Sequence, residues 1–165
     1  SGNVVLVQSK STHKQYALKQ MPKSIENKAS FFREINILKE IHHSNIVRFD
    51  SCYYSNSCYY VTTAYCSGGT LLERVLEMQR FSERDCANFM RKILSALDYL
   101  HEKNIVHRDI KCANIVFDNP DLKNSKLKLI DFGQSEIITN YDAKDNCIIG
   151  SVYYLCPEIT RERTK

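Results

Sequence analysis

The sequence predicts an α+β fold in two parts of different character, and three observations carry the prediction. The first 65 or so residues read as strands around one amphipathic helix, Ser67-Gly68-Gly69 then breaks the pattern, and beyond the break the chain turns helical. Of the 165 residues 43% are hydrophobic and 25% charged, as in an ordinary folded chain, and 5 Gly and 3 Pro are too few for a fibrous or disordered one.

Taken in order, Val4-Val5-Leu6-Val7 is a short β-branched run, Gln15 to Met21 alternates in part, and Tyr59-Tyr60-Val61-Thr62-Thr63 is rich in aromatic and β-branched residues. All three read as strands. Between them Phe31, Ile35, Leu38 and Ile41 recur at spacings of four and three, with Arg33, Glu34, Lys39 and Glu40 assigned to the charged side of the same helix. After the break Thr70 to Gln79 reads as a short helix and Ser82 to Lys103 as a long one. Ser82 with Asp85 three residues on is a variant capping box, and Met90, Ile93, Leu94, Leu97 and Leu100 form the expected buried stripe. Strand-like Ile115-Val116-Phe117 and Leu127 to Ile130 follow, separated by the turn-rich stretch Asp118 to Ser125.

Composition narrows the function classes. With 23 Lys+Arg against 19 Asp+Glu the net charge is +4 and evenly spread, which argues against nucleic acid as a partner. The longest apolar runs are a few residues, so neither a membrane span nor a signal peptide is expected and the protein reads as cytoplasmic. Seven cysteines, at 52, 58, 66, 86, 112, 147 and 156, lack zinc-site pairing, and free thiols, buried or half-buried, are expected. The adjacent His42-His43 pair has the wrong spacing for a metal site and reads as loop.

The chemistry concentrates in two motifs. His107-Arg108-Asp109-Ile110-Lys111-Cys112-Ala113-Asn114 places an Asp, a Lys two residues on and an Asn five residues on in one loop, and Asp131-Phe132-Gly133 follows a hydrophobic strand. In this order and together they resemble the signature of a eukaryotic protein kinase, and the resemblance runs from Gly2 to Cys156-Pro157-Glu158. It implies a bilobal kinase-like fold: an antiparallel β-sheet N-lobe with one long helix and the hinge over residues 1–66, and a mainly helical C-lobe, incomplete at its C-terminus, over 67–165.

The same resemblance implies roles. Lys19, in Tyr16-Ala17-Leu18-Lys19, is the lysine that holds the ATP phosphates, Glu34 is its ion-pair partner, and Gly2 is the last glycine of a phosphate loop. Asp109 orients the substrate hydroxyl and takes its proton, Lys111 neutralises the γ-phosphate, and Asn114 and Asp131 are Mg²⁺ ligands. Val4 and Ala17 above and Val116 below form an adenine slot bounded by the hinge residues Thr63, the gatekeeper, with Ala64 and Cys66. Leu38, Phe49, His107 and Phe132 resemble the hydrophobic column that joins the lobes. ATP and Mg²⁺ are thus the implied cofactors and a protein Ser/Thr hydroxyl the acceptor.

Lys111 and Ser151 resemble serine/threonine rather than tyrosine kinases, and Phe81 to Asp85, Tyr99 to His107 and Gly150 to Tyr154 look most like the calcium/calmodulin-dependent and calcium-dependent group. No calcium-binding loop occurs in the chain, so the implied partner is a calcium sensor or calmodulin outside it. Thr139, Tyr141, Asp142, Asp145 and Ser151 are alternative phosphate or acid partners for Arg108, and Glu158 is expected to pair with an arginine further on. Departures from the family are Thr70 for an acid, Cys112-Ala113 for Pro-Glu, Ala64 for the usual acid at the hinge and Cys156 for alanine. A pseudokinase, a nucleotide-binding scaffold without turnover, is the alternative reading, although such proteins usually lose one of the positions held here by Lys19, Asp109 and Asp131.

Overall fold

The computed structural model describes residues 2–78, 81–121, 124–139 and 150–157. Its first part is a four-stranded antiparallel sheet of β1 (Asn3–Gln8), β2 (Gln15–Pro22), β3 (Phe49–Tyr54) and β4 (Cys58–Ala64) in the order β1-β2-β4-β3. The register sets Lys19 opposite Val4 on one side and Val61 on the other, and Ala17 opposite Thr63, so the Lys19 side of β2 is carried in the middle of the sheet. Strand β3 lies at the edge with most of its residues exposed or half-buried, which is why its sequence, FDSCYY, gave no apolar alternation to read.

Helix α1 (Ile25–Glu40) begins at Ser24, whose hydroxyl accepts the Asn27 N–H at 3.0 Å. It buries Phe31, Ile35, Leu38 and Ile41 as the spacing predicts, with Phe31 stacked on Tyr59 at 4.4 Å. Glu34 departs from the helical-wheel reading: it is buried rather than on the charged, solvated side, because Lys19 stands within ion-pair reach. The helix therefore presents both an apolar stripe and one inward carboxylate.

Past β4 the chain turns at Gly68 and Gly69. Gly68 is buried with its N–H on Phe117 O at 2.9 Å and leaves no room for a Cβ against the Asn119 carbonyl, while Gly69 has φ +77°. Helix α2 (Leu71–Met78) opens with a reciprocal capping box, Glu73 N–H to Thr70 Oγ1 at 3.0 Å and Thr70 N–H to Glu73 carboxylate at 2.6 Å. Helix α3 (Glu83–Glu102) opens on Ser82, whose Oγ accepts the Asp85 N–H at 3.1 Å and donates to the Asp85 carboxylate at 2.6 Å.

The stripe of α3 is corrected by the structure. Ile93 and Leu100 are buried with Ala96 and Leu97 is half-buried, whereas Met90 is 50% and Leu94 55% exposed. The inward face runs Phe89, Ile93, Ala96, Leu100, where Phe89 meets Phe117 at 5.6 Å, and Met90 and Leu94 lie one position round from it.

Two short antiparallel pairs complete the described chain: β5 (Ile105–Val106) with β8 (Glu136–Ile137), and β6 (Ile115–Phe117) with β7 (Leu127–Leu129). The segment leaving α1 clips onto β7, with Val47 N–H on Leu129 O at 3.0 Å, Leu129 N–H on Asn45 O at 2.8 Å and the Asn45 amide on Leu127 O at 2.9 Å. One apolar cluster runs from Phe31 and Leu38 through Ile46 and Leu129 to Leu100 and Phe132, so the sheet and the helices share a core. Of the described cysteines Cys58 is buried and Cys52, Cys66 and Cys112 are half-buried, but Cys86, on the outer side of α3, and Cys156, outside any helix or strand, are exposed, contrary to expectation. Cys147, Tyr141, Asp142, Asp145 and Glu158 lie outside the described residues.

Candidate active site

Between the sheet and the β6–β7 pair lies a cavity of about 400 Å³. Its walls include Gly2, Val4, Ala17, Lys19, Thr63, Ala64, Cys66 and Val116, the full set expected for the nucleotide, together with Glu34, Asn114 and Asp131. Leu38, Val47, Val61, Ile130 and Phe132 add apolar wall that motif reading had not assigned to a ligand. A slot with small and branched apolar walls and a few charged groups at one end suits a planar heterocycle carrying anionic groups.

The charged end is built around Lys19. Its Nζ donates to Glu34 Oε1 at 2.9 Å and Oε2 at 3.0 Å, and to Asp131 Oδ1 at 2.8 Å, so one ammonium joins β2, α1 and the Asp131 turn. Burial works against the Lys19 charge, but Glu34 and Asp131 outweigh it and hold the ammonium above its ordinary pKa. Burial dominates at Glu34 and pushes its carboxyl up in spite of Lys19. At Asp131, burial also raises the pKa, but the Lys19 charge and hydrogen bond overcome it and leave the carboxyl below its ordinary value.

Gly133 keeps this corner open. A Cβ there would lie 3.0 Å from Lys19 Nζ and 3.3 Å from Asp131 Oδ1, and its carbonyl accepts the Ser30 hydroxyl at 3.1 Å, tying the turn to α1. Asp131 itself takes φ +62°. A left-handed aspartate is strained on a scale of about 1–3 kcal/mol and is kept only where its surroundings insist on it.

A second cluster lies beyond Asn114, a residue of the short helical turn Cys112–Asn114 that leads into β6. The Asn114 amide nitrogen donates to Asp109 O and Oδ2, both at 2.8 Å, and Lys111 Nζ donates to Asp109 Oδ2 at 2.7 Å. Asp109 and Lys111 are thus not on the cavity wall but are joined to it through Asn114. Burial raises the Asp109 pKa, yet the hydrogen bonds from Lys111, Ser151 and Asn114 win and leave it depressed.

Ser151, which the resemblance singled out beside Lys111, completes this cluster, and its contact with Asp109 is the part that motif reading did not give. Its Oγ lies 2.8 Å from Asp109 Oδ1 and 2.7 Å from Lys111 Nζ, and its N–H reaches Asp109 Oδ1 at 3.2 Å. Its sequence signal is the resemblance of Gly150 to Tyr154, and nothing local ties Ser151 to Asp109, 42 residues away. His107 is buried, accepts the Asp109 N–H at Nδ1 and donates from Nε2 to Ile130 O at 3.1 Å, with Phe132 edge-on at 4.9 Å. That pairing fixes the neutral tautomer, and burial keeps the imidazole pKa below its ordinary value.

The whole chain, residues 1–165, matches the model of the protein kinase domain. The chain belongs to the protein kinase family. Kinase-domain relatives include calcium-dependent protein kinase 5 of Plasmodium falciparum (isolate 3D7), 39% identical over 163 residues, which are 97% of this chain and 28% of the relative. Calcium-dependent protein kinase 5 of Plasmodium berghei (strain Anka) is 37% identical over 163 residues, 97% of this chain and 28% of that protein. Calcium-dependent protein kinase 4 of the same strain is 34% identical over 162 residues, 96% of this chain and 30% of that protein. The kinase-domain chain therefore spans under a third of the length of the curated relatives it matches. Among its described residues no helix is long and apolar enough to cross a membrane.

Proposed function

We propose that this chain provides the nucleotide site and catalytic loop of a serine/threonine protein kinase that moves the γ-phosphoryl group of ATP to a protein hydroxyl. The observation that carries the reading is Lys19, held at 2.9 Å by Glu34 and at 2.8 Å by Asp131 at the charged end of an apolar slot, with Asn114 linking that end to Asp109. Residues 1–66 then form the upper lobe and hinge, and 67–165 the part of the lower lobe that this chain carries.

In this reading the adenine lies between Val4 and Ala17 on one side and Val116 on the other, against the backbone of Thr63 to Cys66. Lys19 places a fixed cation at the phosphates, and Glu34 keeps it from swinging into water. The oxygen donors of Asp131 and Asn114 suit Mg²⁺, a hard cation that keeps few protein ligands. With the Asn114 amide nitrogen committed to Asp109, its oxygen is the end offered to a cation. Mg²⁺ would supply charge neutralisation at the phosphates.

Asp109 aligns the acceptor hydroxyl and receives its proton as the oxygen bonds to the γ-phosphorus. The bond from that phosphorus to the bridging oxygen breaks, and ADP leaves. Lys111 offsets charge on the transferred group. Both Asp109 and Lys111 are preset by Ser151, so little rearrangement is needed at the moment of transfer. The names of the relatives, calcium-dependent protein kinases, support calcium control, and the reading assigns it to a calcium sensor or calmodulin outside these residues.

The test is transfer of labelled γ-phosphate from Mg-ATP to a mixed Ser/Thr/Tyr peptide pool, in calcium with calmodulin and in chelator, with Asp109→Asn as control. Label on Ser or Thr that the variant lowers by about 10²–10⁴ supports the reading. No transfer, with ATP still raising the melting temperature, replaces it with a nucleotide-binding scaffold.

A further inference from the structure

We propose that Ser30 is a positioning residue for Asp131: its hydroxyl holds the Gly133 carbonyl to α1 by a neutral bond, so the turn that carries Asp131 stays in place when Lys19 changes partners. The consequence for catalysis rests on the kinase reading, whereas the latch itself is a matter of structure. Ser30 lies half-buried on α1, one turn before Glu34, and its Oγ donates to Gly133 O at 3.1 Å across 103 residues of chain. A serine inside a helix ordinarily turns its hydroxyl back to a carbonyl of the preceding turn. Here it reaches out of the helix, and among the described residues this is the one hydrogen bond that runs directly from α1 to the Asp131 turn.

The bond closes a ring. Glu34 holds Lys19, Lys19 holds Asp131, the Gly133 N–H turns to the Asp131 carboxylate, and the Gly133 carbonyl returns to Ser30, one turn from Glu34. Two of these links end on the Lys19 ammonium, which in the kinase reading turns to the phosphates once nucleotide is bound. The Ser30 link carries no charge and meets no ligand, for Ser30 is not on the cavity wall. It therefore keeps its strength while the others are rearranged. What it restrains is a strained turn with no slack: Asp131 sits at φ +62°, and a Cβ at Gly133 would lie 3.0 Å from Lys19 Nζ and 3.3 Å from Asp131 Oδ1. A small shift of residue 133 thus reaches both charged groups. Helix α1 also packs beside β8, so the latch sits where the helix already runs along this stretch.

The experiment compares the full chain with S30A and S30T. It reads hydrogen exchange over residues 131–137 and over α1 without nucleotide, then the KM for ATP and the Mg²⁺ midpoint of phosphate transfer. Alanine is the better helix former, so exchange over α1 should be no faster in S30A than in the wild type. Exchange over 131–137 should quicken about fivefold in S30A, as for one neutral hydrogen bond. The Mg²⁺ midpoint should rise by about the same factor, while the KM for ATP at saturating Mg²⁺ stays within about twofold. S30T keeps the hydroxyl and should stay within about twofold of wild type in every reading. Wild-type exchange over 131–137 in S30A, or a wild-type Mg²⁺ midpoint, overturns the proposal. So does quicker exchange over α1, which marks a merely structural role, and so does an S30T as impaired as S30A, which shows that the site needs a small side chain rather than a hydroxyl. If the wild type transfers no phosphate, the kinase reading falls, and the exchange comparison alone decides whether Ser30 holds the turn.

Discussion

Replacing Glu34 by glutamine separates the electrostatic job of this residue from its packing. An ammonium has three N–H donors, and those of Lys19 reach Glu34 Oε1 at 2.9 Å, Glu34 Oε2 at 3.0 Å and Asp131 Oδ1 at 2.8 Å. Glutamine keeps the shape and one acceptor but loses the charge. Breaking a fully buried pair costs about 3–5 kcal/mol, but Lys19 retains Asp131 and is 16% exposed, so a loss of about 2 kcal/mol is the better figure. Lys19 then leans on Asp131 alone, the carboxylate assigned to the cation, and kcat/KM at limiting Mg²⁺ should fall about thirtyfold. The melting temperature should fall by no more than about 8 °C, because burial already opposes the charge of Glu34. Initial rates over a Mg²⁺ titration, with calorimetry on the same samples, measure both. An E34Q variant with wild-type kcat/KM and Mg²⁺ midpoint would refute the claim that Glu34 shares the Lys19 ammonium with Asp131, and a large fall in melting temperature would show that packing dominates.

Three further outcomes follow from the geometry. Ser151→Ala removes a hydroxyl 2.8 Å from Asp109 and 2.7 Å from Lys111, and should lower kcat about tenfold while Ser151→Thr stays near wild type; equal rates in all three would remove Ser151 from the site. Burial holds His107 below its ordinary value of 6.5, so between the folded and unfolded pKa values the unfolded chain binds more protons. Its contribution to stability is therefore complete above pH 6.5 and is lost as the pH falls through the folded value, with a slope of at most about 1.4 kcal/mol per pH unit. Urea midpoints from pH 7.5 to 5 should show a flatter decline in His107→Gln, and an unaltered slope would contradict the assignment. Burial pushes the Cys66 thiol up to about 11, leaving about one thiolate in a thousand at pH 8, so iodoacetamide should label exposed Cys86 and Cys156 well before it. Rapid labelling of Cys66 in mass spectra would show that the cavity wall there is open rather than buried.

What could be read from the sequence was what is local. His107 to Asn114 carries an Asp, a Lys and an Asn within one loop, and in the structure Lys111 and Asn114 both bond Asp109, because spacings of two and five suffice to bring them round it. The strand at 15–21 was legible from its partial alternation and that at 59–63 from its aromatic and β-branched residues, which sit buried or half-buried in the sheet, while edge strand β3 was not, because its environment asks little of its side chains. The wheel that correctly buried Phe31 and Leu38 misplaced Glu34, since helical periodicity sees hydrophobicity and cannot see a lysine 15 residues away on another element. Met90 and Leu94 failed for a related reason: several apolar residues competed for one face of α3, and the pairing of Phe89 with Phe117 decided which of them turned inward.

The contacts that fix Asp109 and Arg108 are longer still. Ser151 reaches Asp109 across 42 residues, and Glu136 reaches Arg108 across a strand pair only two residues long on each side. No local pattern encodes either contact, and each depends on the register of an element that composition barely marks. The left-handed Arg108 and Asp131 are where the outcome shows, for both residues are held in strained backbone by partners that arrive only with the tertiary fold. The motifs therefore name the groups, and the distant clamps aim them. Substitutions at Ser151 and Glu136 should accordingly alter rate more than nucleotide affinity, since neither residue lies on the wall of the slot.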